Sequence, residues 1–245
     1  MSNGIVSMEK FAFRESVGDP YLARMHHLDS YPEGNGRQGV PVELLKGREL
    51  GNDFDFSKDW KMYYGREVPG FPVHPHRGFE TVTIVLQGFV DHSDSSGLAG
   101  RYGAGDVQWM TAGKGIQHSE MFPLVHDDRE NTMELFQVWL NLPSKKKFAE
   151  PCYKMLWEEE IPTVVDENEL GAKAYLNVIA GSYKGTLSLP PNPDSWAYDR
   201  NHHVGILTVM MEPGANISLP SVSSTLNRNL YFLQGRKPFS ERNHC

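Results

Sequence analysis

Four potential metal ligands occur in two short runs of the chain. The first run holds His74 and His76 in HPHRGFETVTIV, and the second holds His118 and Glu120 in GIQHSEMF. One residue separates the two side chains of each run, so in a β-strand both would point to the same face. Two such strands facing one another inside a barrel would bring three imidazoles and one carboxylate to one point. This set suits a divalent first-row metal, with iron(II) as a natural candidate and open positions for a substrate or dioxygen.

The carboxylate of this set has two candidates. Glu80 has the same strand parity as His74 and His76, and Glu120 follows His118 by two residues. On geometry alone either could complete the set, and Glu80 could instead hold a ligand imidazole by its free N–H. Inward-facing histidines are costly to bury without partners, and a metal supplies such a partner.

Short strands are the elements that would position these ligands. FETVTIVLQGFV (79–90) is rich in β-branched and aromatic residues, and Gly88 predicts a tight turn between two strands. The turn residues of 92–106 predict a hairpin tip and a second turn. Further strands are predicted within 107–113, 133–143, 174–189, 204–220 and 228–235. Short strands at regular spacing without a long helical period indicate β-sandwich or barrel domains.

Residues 144–162 break this rhythm. They contain the charge runs Lys145–Lys147 and Glu158–Glu160 and two prolines, and we interpret them as a connector with one helical turn and solvated charges. The second half echoes the first in composition and spacing, but it has no H-x-H pair. Its adjacent His202 and His203 would point to opposite faces of a strand, so we expect them on the surface or in loops.

Four apolar residues flank the ligands and are expected to line or back the cavity, although core packing is the simpler interpretation for each. They are Phe79, Trp109, Met110 and Met121. A flat aromatic substrate would suit such walls.

Composition limits the classes of function. The 245 residues, 39% of them hydrophobic, are enough for one large domain or two small ones with packed cores. A net charge of −7 argues against broad, nonspecific nucleic-acid binding. The two cysteines, Cys152 and Cys245, make no disulfide framework, which indicates a reducing compartment. The sequence has neither a signal-peptide core nor an apolar segment of membrane-spanning length, so we expect an intracellular protein.

The motifs HPHRGFETVTIVLQG, DHSDSSG, GDVQWMTAGKGIQHSEM and LFQVWLNLP, in this order, resemble the pirin family of the cupin superfamily. The resemblance is specific over about residues 70–145 and weaker as far as Gly235. It implies an all-β bicupin, with two β-barrel (jelly-roll) domains in tandem and one metal in the first. Carried over position by position, the family's iron ligands fall on His74, His76, His118 and Glu120. This correspondence, and not the spacing, favours Glu120 over Glu80.

The resemblance also implies domain boundaries. We predict an N-terminal metal-binding cupin domain over residues 1–143, a connector over 144–173 and a C-terminal cupin-like domain without metal over 174–245. The family continues with further strands past the segment that matches LYFLQG, whereas this sequence continues with the polar RKPFSERNHC. We therefore expect the second barrel to be incomplete, as in a truncated pirin-like protein.

The first function that the resemblance implies is a dioxygenase. Members of the family open quercetin, so an iron site, with Fe(II) or Fe(III) as the cofactor, would act on flavonols as a quercetin 2,3-dioxygenase. Glu120 would be both a ligand and the catalytic base. Another first-row metal such as Mn, Co, Ni, Cu or Zn would also suit these ligands.

The alternative is a redox-responsive, iron-binding co-regulator of transcription without turnover, in the cytoplasm or the nucleus. A change of iron oxidation state would alter the surrounding loops, and Lys145–Lys147 is a candidate contact surface for a regulatory protein. For either function we expect a monomer whose partner is a flavonol-like molecule or a protein, with no direct sequence-specific nucleic-acid binding and no membrane.

Overall fold

The computed structural model describes residues 10, 12–220, 222–223 and 225–234, and these consist mainly of β-strands and turns. The strands are β1 (Arg14–Glu15), β2 (Tyr21–Tyr31), β3 (Gly70–His76), β4 (Phe79–Gln87), β5 (Phe89–Asp94), β6 (Ala99–Gly103), β7 (Val107–Thr111), β8 (Ile116–Met121), β9 (Asn131–Asn141), β10 (Cys152–Leu156), β11 (Thr163–Glu167), β12 (Lys173–Ala180), β13 (Ser182–Tyr183), β14 (Thr186–Leu187) and β15 (Ile206–Met211). Short 3-10 helices span Val42–Leu45, Ser144–Lys146, Glu158–Glu160, Trp196–Tyr198 and Arg200–His202. The prediction of an all-β protein is confirmed.

Two antiparallel sheets form the first unit. One has the strand order β1-β2-β9-β4-β7-β10, and the other has the order β3-β8-β5-β6. Their inner faces pack together around a buried cluster that includes Tyr63 and Phe122. Gly88, at a φ of 80°, lies between β4 and β5 and carries the chain from one sheet to the other. The positive φ favours glycine at this position, as the sequence predicted.

Both faces of β4 are buried, which explains why FETVTIV reads as an almost continuous run of strand-forming residues. Thr83 points into the first unit, where it contacts Glu120 of the opposite sheet. Val82 and Ile84 point the other way and pack with Ile179 and other residues of the second half of the chain. The six-stranded sheet is therefore a wall shared by the two units.

The second unit contains a three-stranded sheet of order β11-β12-β15 and the hairpin β13–β14. Its buried cluster includes Leu176, Val178 and Tyr183. Over the described residues these strands form an open sheet and a hairpin and do not close into a barrel.

Two segments differ from the sequence-based expectation. The predicted connector, 144–173, contains β10, which pairs with β7 of the first unit, and β11, which pairs with β12 of the second. Residues 228–234 of the predicted strand 228–235 have no regular structure, and Gly235 lies outside the described residues. Here Tyr231 packs its ring against the Arg24 guanidinium, 4.4 Å from the ring centroid, so side-chain packing replaces the expected strand pairing.

No helix in the described part of the chain is both long and apolar enough to cross a membrane.

Candidate metal centre

The pairing of β3 with β8 brings the two ligand runs together. His74 lies directly opposite His118 in this antiparallel ladder, and a register shift separates it from the pair Phe71–Glu120. Directly opposite side chains on one face of an antiparallel pair are close neighbours. The two runs therefore meet as adjacent strands of one sheet, not as strands on opposite walls of a barrel.

The three imidazoles converge on one point. One ring nitrogen from each of His74, His76 and His118 can be chosen so that all three lie within 4.8 Å of one another. The Nε2 atoms of His74 and His76 are 3.1 Å apart. The ring centroids of His74 and His118 are separated by 4.5 Å, and those of His76 and His118 by 4.8 Å. This group can hold a metal ion.

Hydrogen bonding defines which nitrogen faces the site. His74 Nδ1 lies 2.9 Å from the Pro72 carbonyl oxygen, which can only accept, so Nδ1 carries the proton and Nε2 carries the lone pair. His118 Nε2 is buried and has no hydrogen-bond partner among the described residues. An unpaired buried nitrogen is costly, and a metal bound at this nitrogen would remove that cost. The donor set thus fits a metal ion.

Burial keeps the imidazoles of His76 and His118 neutral at physiological pH. Burial lowers the pKa of His76 to about 4, and the neighbouring His118 and His74 lower it further. Burial likewise lowers the pKa of His118 to about 4, although the nearby Glu120 carboxylate opposes this shift. Neutral imidazoles offer the lone pairs that a metal requires.

Glu120 lies beside the three histidines in a fixed orientation. Its Oε2 is 3.7 Å from His118 Nε2, and Gln137 Nε2 donates to both of its oxygens. Burial alone would raise the pKa of Glu120, but His118 and the hydrogen bond from Gln137 lower it below its usual value. A buried, ionised carboxylate therefore lies next to the imidazole group.

Glu80, the other candidate ligand, points away from this site. Gly78, at a φ of 76°, separates β3 from β4 and places them in different sheets, so strand parity does not carry over from His76. The Glu80 carboxylate accepts hydrogen bonds from Trp109 Nε1, Thr111 Oγ1 and Ser195 Oγ at 3.0, 2.8 and 2.6 Å. The parity argument for Glu80 was wrong, because it assumed one uninterrupted strand.

The aromatic wall of the site differs in part from the expected one. Phe79 lies against the His76 ring, with 5.1 Å between centroids, and packs on Trp139 at 4.8 Å. Trp109 was expected here, but it is fully buried on the far side of the sheet with Glu80. Met110 packs on Ala112 and Ile116 in a separate cluster of the core. Met121 is half-buried opposite Gly70 at the end of β8.

Sequence reasoning missed the residues that support Glu120. They are Thr83, Gln137 and Trp139, which belong to β4 and β9 of the opposite sheet. Trp139 Nε1 donates to Gln137 Oε1 at 2.8 Å, and this bond fixes the orientation of the amide. The one available signal was the polar Gln137 inside the apolar strand MELFQVWLNLP.

Two further groups lie away from the site or have other partners. His202 and His203 are exposed near Trp196, as expected for residues outside a ligand set. In the lysine run, Lys146 pairs with Asp194 at 2.6 Å, and Lys147 Nζ donates to the Gly78 carbonyl oxygen at 2.7 Å.

Comparison with known proteins agrees with the fold. The family model Pirin matches residues 43–140. Pirin-1 of Arabidopsis thaliana is 50% identical over 154 residues, which are 63% of this chain and 47% of that protein. A pirin-like protein of Solanum lycopersicum is 38% identical over 170 residues, which are 69% of this chain and 52% of that protein.

A crystal structure of a quercetin 2,3-dioxygenase from Acinetobacter baumannii has 32% sequence identity and a TM-score of 0.52 with this chain. The likeness covers 71% of this chain and 49% of that one. The chain spans about half the length of these relatives. The family model spans the three histidines, Glu120 and the strands β3 to β8. Over residues 43–140 this chain carries the domain of the pirin family.

Proposed function

We propose that this protein is a metal-dependent dioxygenase that acts on flavonols of the quercetin type. The observation that carries the proposal is the convergence of three imidazoles, of which His76 and His118 are neutral, beside an ionised, buried carboxylate. His74, His76 and His118 would hold the metal, with Glu120 as the fourth ligand, and iron is the metal that the family resemblance favours. The N-terminal unit would be the metal-binding domain, with the second unit free of metal.

The ligand set leaves room for chemistry. A first-row metal bound by three histidines and one carboxylate retains open positions and, when bound, lowers the pKa of a coordinated hydroxyl group by Lewis acidity. Glu120 Oε2 lies on the His118 side of the site and would accept the proton that the flavonol hydroxyl loses. Gln137 stabilises the charged form of Glu120 before the proton arrives.

The aromatic residues would position the substrate. Phe79 and Trp139 are both half-buried and pack on each other and on the ring of His76, which places an aromatic wall at the site. Aromatic rings favour offset stacking with flat partners. A flavonol stacked here would present its hydroxyl oxygens toward the histidine group. The name of the Acinetobacter baumannii relative, a quercetin 2,3-dioxygenase, supports this substrate class.

Oxygen consumption tests the proposal. The full chain, loaded anaerobically with Fe(II), should consume dioxygen when quercetin is added, whereas the double variant His74→Ala, His118→Ala should not. His203→Asn is the matched control, since this exposed residue lies outside the site and asparagine tolerates its positive φ of 53°. Equal uptake by the double variant and the wild-type protein would refute the assignment. Elemental analysis of the purified protein identifies the bound metal.

A further inference from the structure

A line of polar side chains extends from His118 Nδ1 through His92 to Asp94. His92 and Asp94 of β5 are neighbours of β8, where Asp94 is the register partner of His118. His118 Nδ1 lies 3.5 Å from His92 Nδ1, at the long end of the hydrogen-bond range. His92 Nε2 in turn lies 3.0 Å from Asp94 Oδ2. Both side chains of this pair are buried.

Asp94 is fixed by the turn between β5 and β6. Its Oδ1 accepts hydrogen bonds from the Ser96 backbone N at 2.8 Å and from the Leu98 backbone N at 3.3 Å, as well as from the Ser96 hydroxyl. Oδ2 is therefore the oxygen that faces His92. Burial would raise the pKa of Asp94, but hydrogen bonds from Ser96 and His92 lower it below its usual value. An ionised carboxylate can only accept, so it acts as a fixed acceptor for His92.

The Asp94 carboxylate determines which ring nitrogens of His92 and His118 carry protons. His92 must carry its proton on Nε2 to donate to Asp94, which leaves Nδ1 of a neutral His92 as an acceptor. His118 then donates from Nδ1, and its Nε2 is left with the lone pair. This is the buried nitrogen that has no partner among the described residues. We propose that His92 and Asp94 are positioning residues that hold His118 in the Nδ1–H tautomer, so that Nε2 is presented to the metal.

The inference rests on the proposed metal site and adds to it. The Pro72 carbonyl performs the same task for His74 by accepting from its Nδ1. At His118 Nδ1 the acceptor is the His92 side chain, and the Asp94 carboxylate sets the tautomer of His92. Outer partners that orient ligand histidines in this way contribute about 10- to 100-fold to metal affinity.

Asp94→Asn is the sharpest test. The amide oxygen can keep the three hydrogen bonds of the turn, so the amide nitrogen faces His92 and donates where the carboxylate accepted. His92 Nδ1 then carries the proton, and His118 is driven to the Nε2–H tautomer, whose Nε2 must lose its proton before it can bind a metal. We expect a loss of about 10- to 100-fold in Co(II) affinity, measured by competition with a chelator.

A second variant guards against a folding defect at the turn. His92→Phe preserves the edge-on ring contact with Tyr153, whose centroid lies 5.0 Å from that of His92, but removes the acceptor for His118. We expect a mixture of His118 tautomers and weaker Co(II) binding. Asp91→Asn is the matched control on the same strand, since Asp91 forms an exposed ion pair with Arg101 and should leave affinity unchanged.

Tautomers are read directly from two-bond ¹H–¹⁵N correlation spectra of the imidazoles in metal-free protein. The expected result is the Nδ1–H form of His118 in the wild type and the Nε2–H form in Asp94→Asn. Unchanged His118 tautomer and unchanged Co(II) affinity in both variants would overturn the inference. Failure of the proposed function looks different, because there the wild-type protein itself would bind no metal or consume no dioxygen with quercetin.

Discussion

Gln137 donates its side-chain amide to both carboxylate oxygens of Glu120, at 3.0 Å to each. The two residues belong to opposite sheets, so this contact joins the inner faces of the first unit beside the three histidines. Thr83 Oγ1 lies 3.4 Å from one of these oxygens, too far to replace the amide. Gln137 is therefore the main support of a buried charge.

Replacing Gln137 by leucine should destabilise the protein at neutral pH. The carboxylate of Glu120 would stay buried without its strongest partner, and we expect a loss of about 1–3 kcal/mol in the free energy of unfolding, measured with urea at pH 7. Gln87→Leu is the control, because Gln87 makes a similar but exposed hydrogen bond to Glu134. An equal effect of both substitutions would contradict the role given to Gln137.

His118→Leu should make the free energy of unfolding independent of the Co(II) concentration. The free energy of unfolding of the wild type should rise by about 2.7 kcal/mol when free Co(II) reaches one hundred times its dissociation constant. The variant lacks one of the three converging imidazoles and should gain nothing at the same concentration. Without metal the variant should be at least as stable as the wild type, because the substitution removes the buried, unpaired Nε2 of His118. Urea unfolding with and without Co(II) measures both effects.

His27 should make the protein sensitive to acid. It is buried among aromatic rings, including Tyr63 at 4.9 Å and Phe13 at 5.0 Å between centroids, and burial lowers its pKa to about 3. The unfolded chain therefore binds more protons on this residue below about pH 6.5, so stability falls as the pH falls from there toward 3. Each unit of pH decrease in this window lowers the free energy of unfolding by up to about 1.4 kcal/mol.

His27→Phe preserves the ring packing and removes the titrating group. The difference in unfolding free energy between variant and wild type should shift by about 2 kcal/mol in favour of the variant between pH 7.5 and pH 5. Urea titrations at the two pH values measure it. A difference that does not change with pH would show that His27 does not titrate in this way.

Glu80 should have the opposite pH dependence. Burial raises its pKa to about 7, although hydrogen bonds from Ser195, Thr111 and Trp109 oppose the shift. Between about pH 4.5 and 7 the folded state binds the proton more tightly than the unfolded chain, so stability falls as the pH rises. Glu80→Gln carries no titrating group at this position. Its free energy of unfolding, relative to the wild type, should therefore rise by up to about 1.4 kcal/mol for each unit of pH increase over this window. Parallel stability profiles for the two proteins would contradict it.

The alternation of side chains along a strand was enough to predict that His74 and His76 share a face and that His118 belongs to the same group. It failed for Glu80, because the positive φ of Gly78 breaks the strand and a single sequence does not reveal which glycine turns the chain between sheets. The roles of Gln137 and His92 could not be predicted, since they depend on which strands become neighbours across distant parts of the chain.

Position 143 is a poor place to divide this protein. Excision there would strip β7 of its outer neighbour, β10, and leave a ladder of backbone groups open to solvent and to other chains. It would also deprive Glu80 of the Ser195 hydroxyl and expose this acidic group on an apolar surface that includes Val82 and Ile84. The first unit takes its edge strand β10 from sequence beyond its expected end, so the candidate site is best studied by single substitutions in the intact chain.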